Sequence, residues 1–243
     1  MSHFVYANGK LHAEQVPLER IAAEFGTPVY VYSSASLKEN FLAYANACRA
    51  NGRGDQGALV CYSVKSNSNL AVLNHLAKLG SGFDIVSGGE LLRVIAAGGD
   101  PRKVIFSGVG KSRDEMKLAL SHDILCFNVE SIPELHRLNE VAAGMGKRAR
   151  VSLRVNPDVD AKTHAKITTG SLDNKFGVSF EEAARLYARA SNMQGVRMLG
   201  LAVQNFVSAA RYDDAALNAA VARYAADAQA LRRFGADTDP DGR

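Results

Sequence analysis

The sequence predicts an α/β chain built on a parallel sheet covered by helices, and three observations carry that expectation. Short apolar runs bounded by Gly, Ser or Asn recur at 29–32, 58–64, 83–87, 104–107, 125–129, 151–155 and 198–203, the pattern of strands buried on both faces. Helix starts fall between them, with capping-box spacing at Ser112/Glu115, Ser131/Glu134 and Ser179/Glu182. Strands that alternate with helices predict right-handed βαβ units. Two architectures satisfy the pattern: a (β/α) barrel with its chemistry at the carboxyl ends of the strands, or a doubly wound open sheet.

The elements follow in order. Phe4 to Leu11 reads as a hairpin or edge strand around Asn8-Gly9, a pair that accepts the positive φ angles of a tight turn. A short helix over 19–25 is punctuated by Gly26-Thr27-Pro28 before the strand at 29–32. In the run 58–64, period two places Leu59, Cys61, Ser63 and Lys65 on one face and Val60, Tyr62 and Val64 on the other. Leu135, Leu138, Val141 and Ala142 form a helical stripe that Gly144 and Gly146 end. Beyond the strand at 198–203, Leu217, Val221, Tyr224, Ala228 and Leu231 form another, ended by Gly235. The segment 236–243 is polar and rich in breakers, and is expected to be disordered. The organisation expected is residues 1–26 as an N-terminal strand segment and helix, 27–235 as the barrel and 236–243 as the tail.

Composition excludes several classes. The 243 residues are 47% hydrophobic and 22% charged, ordinary values for a folded soluble protein. The net charge of +4 comes from interspersed residues with no basic block, which argues against a dedicated nucleic-acid surface. No apolar run approaches the length of a membrane span, and no leader is expected at the start. Cys48, Cys61 and Cys126 lack metal-ligand spacing, so no metal is expected. Two lie in apolar strands, as reduced thiols of a cytoplasmic protein would.

Lys65, in Cys61-Tyr-Ser-Val-Lys-Ser-Asn67, draws the functional reading. At the end of a buried strand a lysine either snorkels to water or is a desolvated amine that loses its proton easily and condenses with an aldehyde. The segments around it are specific as an ordered set: Gly82-Phe-Asp-Ile-Val-Ser-Gly-Gly-Glu-Leu91, Phe106-Ser-Gly-Val-Gly-Lys111, Cys126-Phe-Asn-Val-Glu-Ser131, Ser152-Leu-Arg-Val-Asn-Pro-Asp158, Lys162-Thr-His164 and Asn174-Lys-Phe-Gly177. Over roughly residues 1–201 they resemble the fold-type III pyridoxal-phosphate decarboxylases, which act on diaminopimelate, ornithine and arginine. The likeness favours the diaminopimelate branch over the ornithine-specific relatives.

That resemblance implies an incomplete (β/α)8 TIM-type barrel with about six of its eight strands, and an N-terminal β segment belonging to a second, β-rich domain. It implies pyridoxal 5'-phosphate as cofactor, decarboxylation of meso-diaminopimelate to L-lysine, a small amino-acid substrate, a homodimer and a cytoplasmic location. Lys65 would hold the cofactor and be the catalytic residue. Asp84 would line the pocket near the ring or cap a loop. Arg154 would lie beneath the ring or form a buried structural ion pair. Glu90 would serve the start of its helix. His164 and Lys175 fall in a loop near the active-site and dimer region of the family. Gly108 and Gly110, a short Gly-x-Gly, are a weak phosphate-loop signal.

The likeness breaks after Leu201. Where the family has a histidine stacked on the ring and a serine reaching the phosphate, this chain has Gln204 and Val207. An amide can lie against a ring but has no imidazole acid–base function, and valine donates no hydrogen bond. The remaining barrel strands and the β-domain of the family have no counterpart in the 243 residues, which implies open sheet edges, a weakly held cofactor and impaired turnover. Two other readings stay open: a decarboxylase acting on ornithine, arginine or carboxynorspermidine, and a non-catalytic truncated homologue.

Overall fold

A computed structural model of the chain describes residues 3–50, 58–155, 177–190 and 192–203. The first element is a hairpin, β1 (Phe4–Ala7) and β2 (Lys10–Ala13), with Ala7 opposite Lys10. Asn8 and Gly9 have φ of 51° and 76°, as the sequence pair requires. A two-residue strand, β3 (Val16–Pro17), completes this antiparallel sheet. Then come α1 (Leu18–Phe25) and α2 (Ser34–Ala50). The Glu14 carboxylate accepts hydrogen bonds from Ser33 Oγ at 2.8 Å and Ala35 N–H at 3.0 Å, tying the hairpin to the start of α2.

The strand expected at 29–32 does not form. A strand needs a ladder partner, and among the described residues this segment has none; Tyr30 is 88% exposed.

The second sheet holds β4 (Cys61–Ser63), β5 (Gly82–Ile85), β6 (Val104–Phe106), β7 (Cys126–Val129), β8 (Ala149–Val155) and β9 (Val196–Val203), all parallel and in sequence order. These are the six barrel strands expected. Sequence order decides between the two architectures: every crossover adds the next neighbour with the same hand, so the helices collect on one face. A doubly wound sheet reverses direction and places helices on both faces. The helices are α3 (Leu70–Lys78), α4 (Gly88–Ala96), α5 (Arg113–Ser121), α6 (Ile132–Gly144) and α7 (Phe180–Ala190).

Strand alternation divides the sheet. Phe83, Ile85, Val104, Phe106, Phe127, Val129, Val151, Leu153 and Val155 pack with Leu73, Leu91, Met116, Leu135 and Leu138 of the helices in one core. Their alternates Ser63, Asp84, Ser107, Asn128, Ser152 and Arg154 are half-buried on the other face. Close contact sets Gly82, where a Cβ would lie 2.6 Å from Cys61 Sγ and 2.7 Å from the Lys103 carbonyl. Among the described residues no helix is long and apolar enough to cross a membrane. Gln204, His164, Lys175, the stripe from Leu217 to Leu231 and the tail 236–243 lie outside the described residues.

Candidate active site

The site is built on the polar face at the carboxyl ends of the strands. The chain leaves β4 earlier than the apolar run suggests: the strand covers Cys61–Ser63, and Val64–Ser66 forms one 3-10 turn. Val64 fills a core position at that turn, fully buried, and so carries the backbone out of the sheet. Lys65 therefore stands one turn beyond the strand. It is exposed and makes no hydrogen bond or ion pair among the described residues. Of the two readings of this lysine, its exposure matches the one in which the amine reaches water, and the strand itself ends two residues before it. The turn is fastened on its far side. Tyr62 Oη donates to the Asn67 carbonyl at 3.2 Å, Asn67 Oδ1 accepts from Asn69 N–H at 3.0 Å, and Asn69 Oδ1 caps α3 through Ala71 N–H at 2.9 Å.

Asp84 pairs in register with Ser63. Its Oδ1 accepts from Ser107 Oγ at 2.6 Å, and Ser107 Oγ accepts from Asn128 Nδ2 at 3.0 Å, so three adjacent strands share one chain of polar contacts. Asp84 is thus held to its neighbouring strand, and among the described residues no backbone N–H donates to its carboxylate. Burial raises its pKa above the ordinary carboxylate value; the Ser107 hydrogen bond and then the Lys65 charge oppose that rise. The structure brings Lys65 and Asp84 within electrostatic reach of each other. Beside them Ser63 Oγ is buried with no hydrogen-bond partner. Two thiols share this face. Burial pushes Cys61 up to about 12, with the Asp84 and Cys126 charges adding to the rise, and burial likewise raises Cys126. Neither is a thiolate near neutral pH.

Arg154 projects from the end of β8, and its Nη1 donates to Glu130 Oε2 at 2.7 Å. The buried ion pair expected as one reading of Arg154 is present. Glu130 lies in the quoted 126–131 segment but carries no role from the sequence, although its parity with Cys126 and Asn128 places it on the polar face. The pairing of Lys111 with Glu134 is likewise not legible in the sequence. The pair is buried, with Lys111 Nζ 2.7 Å from Glu134 Oε1, while Glu134 Oε2 accepts from Glu130 N–H at 3.0 Å. Glu134 was legible only as the third residue of a capping box, and it spends its carboxylate elsewhere; Ser131 Oγ still accepts its N–H at 3.4 Å. The reciprocal box does form at Ser112/Glu115. Glu90 serves the start of α4 as expected: its Oε2 accepts from Val86 N–H at 2.7 Å. The Gly108 N–H is taken by Glu130 Oε1 at 2.7 Å, which removes it as a phosphate donor.

A cavity of about 220 Å³ lies at the other end of the sheet, between Leu120, Ile124, Lys147 and Arg150. Its cations are held by the protein itself: Lys147 Nζ by the Leu120 carbonyl at 2.7 Å and Arg150 Nε by the Leu125 carbonyl at 2.9 Å. Among the described residues no group of three or more His, Cys, Asp or Glu side chains gathers to hold a metal ion.

Comparison with known proteins gives this arrangement a family. The family described as "Pyridoxal-dependent decarboxylase, pyridoxal binding domain" matches residues 35–239. The diaminopimelate decarboxylase of Vibrio cholerae is 56% identical over 202 residues, 83% of this chain and 47% of that protein. That of Pseudomonas aeruginosa is 56% identical over 201 residues, again 83% and 47%. The chain spans about half the length of the curated relatives it matches. Among solved structures, diaminopimelate decarboxylase from M. jannaschii in complex with L-lysine superposes with a TM-score of 0.77 at 36% identity, over 83% of this chain and 47% of that one. The enzyme from Helicobacter pylori complexed with L-lysine gives a TM-score of 0.72 at 40% identity, over 76% and 46%.

Proposed function

Because the chain belongs to the pyridoxal-dependent decarboxylases, through their pyridoxal-binding domain, we propose that it forms the cofactor-holding part of an enzyme converting meso-diaminopimelate to L-lysine and carbon dioxide. The observation that carries this reading is the placement of Lys65. It is an exposed primary amine on a fastened turn at the carboxyl end of β4, within electrostatic reach of Asp84. Lysine, the molecule held by the solved relatives, is what remains of diaminopimelate after one carboxylate leaves.

The residues at this end of the sheet suit pyridoxal 5'-phosphate by their chemistry. Lys65 offers the amine that condenses with its aldehyde. Ser63 Oγ is a buried hydroxyl that a polar ligand would satisfy. Asp84 and Arg154 offer a carboxylate and a cation on one face. Gln204, directly after β9, is assigned on sequence grounds to lie against the ring. When bound, the cofactor supplies an electron-withdrawing ring that spreads the charge left by the departing carboxylate. The chain's own residues hold, orient and balance charge. Lys65 is the covalent anchor. Asp84, drawn toward its neutral form by burial, moderates the charge beside that amine. Arg154, clamped by Glu130, keeps a fixed cation at the mouth.

The reading extends to the rest of the molecule. Residues 1–26 are assigned to a second, β-rich domain; their sheet is separate from the six-stranded one, and Tyr6 is 77% exposed. A homodimer belongs to the same reading. The three cysteines are free thiols, which supports a cytoplasmic location.

Borohydride reduction of the chain in the presence of pyridoxal phosphate, followed by peptide mapping, tests the anchor. The label is expected on Lys65 and is lost in Lys65→Ala. A label spread over surface lysines, or unchanged in that variant, overturns the reading. Carbon dioxide release from meso-diaminopimelate, set against ornithine and arginine, tests the substrate.

A further inference from the structure

Two arginines stand on the same face of β8 and are held in opposite ways. Arg150, at the amino end, has a side chain 32% exposed; it is tied to the Leu125 carbonyl at 2.9 Å and to Asp123 Oδ1 at 2.7 Å, from an aspartate 67% exposed. Arg154, at the carboxyl end, is 11% exposed and is tied to Glu130, which is 2% exposed. Carbonyls and a wet carboxylate suffice to hold a guanidinium in place. Burying a carboxylate for the same purpose carries a desolvation cost that apolar side chains would avoid. The costly arrangement stands at the end of the sheet where Lys65 and Asp84 are, and the inexpensive one at the other end.

Glu130 is itself fixed on every side. Its Oε1 accepts from Gly108 N–H and its Oε2 from Arg154 Nη1, both at 2.7 Å. Its backbone N–H donates to Glu134 Oε2 at 3.0 Å, and its carbonyl accepts from Gly177 N–H at 3.1 Å. Glu134 is held in turn by Lys111, fully buried, whose Nζ also donates to the Asn128 carbonyl at 2.8 Å. Gly108 takes φ of 95°, a left-handed conformation suited to glycine, in the turn that aims its N–H at Glu130. A guanidinium is a rigid planar fork, so holding Nη1 restricts where its other two nitrogens can lie.

We infer that Glu130 is a positioning residue: through Nη1 it holds the Arg154 guanidinium in place for the bound cofactor, and the Lys111–Glu134 pair holds Glu130. This rests on the proposed binding of pyridoxal phosphate at this end of the sheet. Glu130 touches neither cofactor nor substrate and acts chiefly through Arg154, beside a smaller charge effect on Asp84.

The test uses the full chain and pyridoxal phosphate as the probe, with affinity read from the cofactor's absorption on titration. Glu130→Gln removes the charge and keeps the shape; it should weaken binding about 10- to 100-fold, the worth of one charge-assisted hydrogen bond. In an Arg154→Met background the same substitution should add less than about twofold, because the group it acts through is gone. Glu130→Asp keeps the charge but cannot reach Gly108 and Arg154 together; it should also bind more weakly than wild type, and it decides the matter if Glu130→Gln does not fold. Wild-type affinity in Glu130→Gln, in Glu130→Asp or in Arg154→Met overturns the inference. So does a full second loss when Glu130→Gln is placed on Arg154→Met, since a general structural role would add. Lys65→Ala separates the two levels: if borohydride labelling survives it, the functional reading falls and the inference falls with it. If labelling depends on Lys65 while Glu130 is neutral, the inference alone falls.

Discussion

On the helix side of the six-stranded sheet, Phe83, Ile85, Val104, Phe106, Phe127 and Val129 are at most 1% exposed and join one continuous core. On the opposite side the same strands and their ends present Ser63, Asp84, Ser107, Asn128, Ser152 and Arg154, half-buried, with Asp84, Ser107 and Asn128 bonded in one chain. Residues one apart in sequence thus live in different solvents. Each apolar side chain taken out of water on the helix side contributes about 1.5–3 kcal/mol. The polar side supplies little net stability, since its hydrogen bonds replace ones to water. The comparison teaches a division of labour by parity: one face holds the fold, and the other is free to carry chemistry.

The largest expected effect tests the first half. Phe127 is 1% exposed and stacks on Phe106 with ring centroids 5.9 Å apart. Phe127→Ala should cost about 4 kcal/mol in denaturant unfolding. A loss under about 1 kcal/mol would mean that the helix side tolerates cavities and does not hold the fold.

Next comes the buried pair that breaks the simple division. Lys111 is polar yet fully buried, and Lys111→Met leaves Glu134 charged without its partner. The expected cost is about 3 kcal/mol, measured the same way. A neutral result would show that Glu134 finds water or another partner once Lys111 is gone.

Asp84 gives a smaller effect whose sign depends on pH. Its folded pKa is raised, chiefly by burial, so the folded state holds a proton to higher pH than the unfolded state does. Below the unfolded value near 3.8 both states are protonated and nothing is lost; as pH rises through the folded pKa, stability falls to a lower plateau. Asp84→Asn is neutral throughout. It should therefore unfold at higher denaturant than wild type near pH 7, and this gain should vanish near pH 3. A gain of equal size at both pH values would show that charge burial is not its cause.

The division also explains which parts of the molecule were legible in the sequence. Apolar runs are dense signals, so six of the parallel strands were placed, as were the Asn8-Gly9 turn and the Leu135–Leu138 stripe. The run at 29–32 has the composition of a strand, but composition does not supply a ladder partner. The apolar run 58–64 overstates the strand because Val64 serves the core from a 3-10 turn, which looks the same in a hydrophobicity pattern. Asp84 and Arg154 stood out as polar residues among apolar neighbours. Glu130, Lys111 and Glu134 did not, since nothing local pairs a lysine with a glutamate 23 residues away across two strand–helix turns. Long-range polar contacts leave no periodic trace, and this is where the face with chemistry keeps its organisation.

The smallest effect sharpens the comparison most, because it lies on the polar face beside residues that do matter. Ser152 stands between Leu153 and Val151, both at most 1% exposed, yet points the other way. Its hydroxyl has one weak partner, Cys126 Sγ at 3.9 Å, and faces Gly200, where an added Cβ would lie 4.0 Å from Ser152 Oγ. Removing that oxygen leaves no buried donor unpaired and opens little space, so Ser152→Ala should cost less than about 1 kcal/mol. The truncation Leu153→Ala, one residue along, should cost about 2–5 kcal/mol. Measured together by denaturant unfolding, the two variants compare adjacent positions of one strand with the backbone held constant. Equal losses would mean that the polar face is a packed core in its own right, and the assignment of that face to chemistry would have to be abandoned. A gap of several-fold would place the boundary between fold and function at the width of a single β-strand.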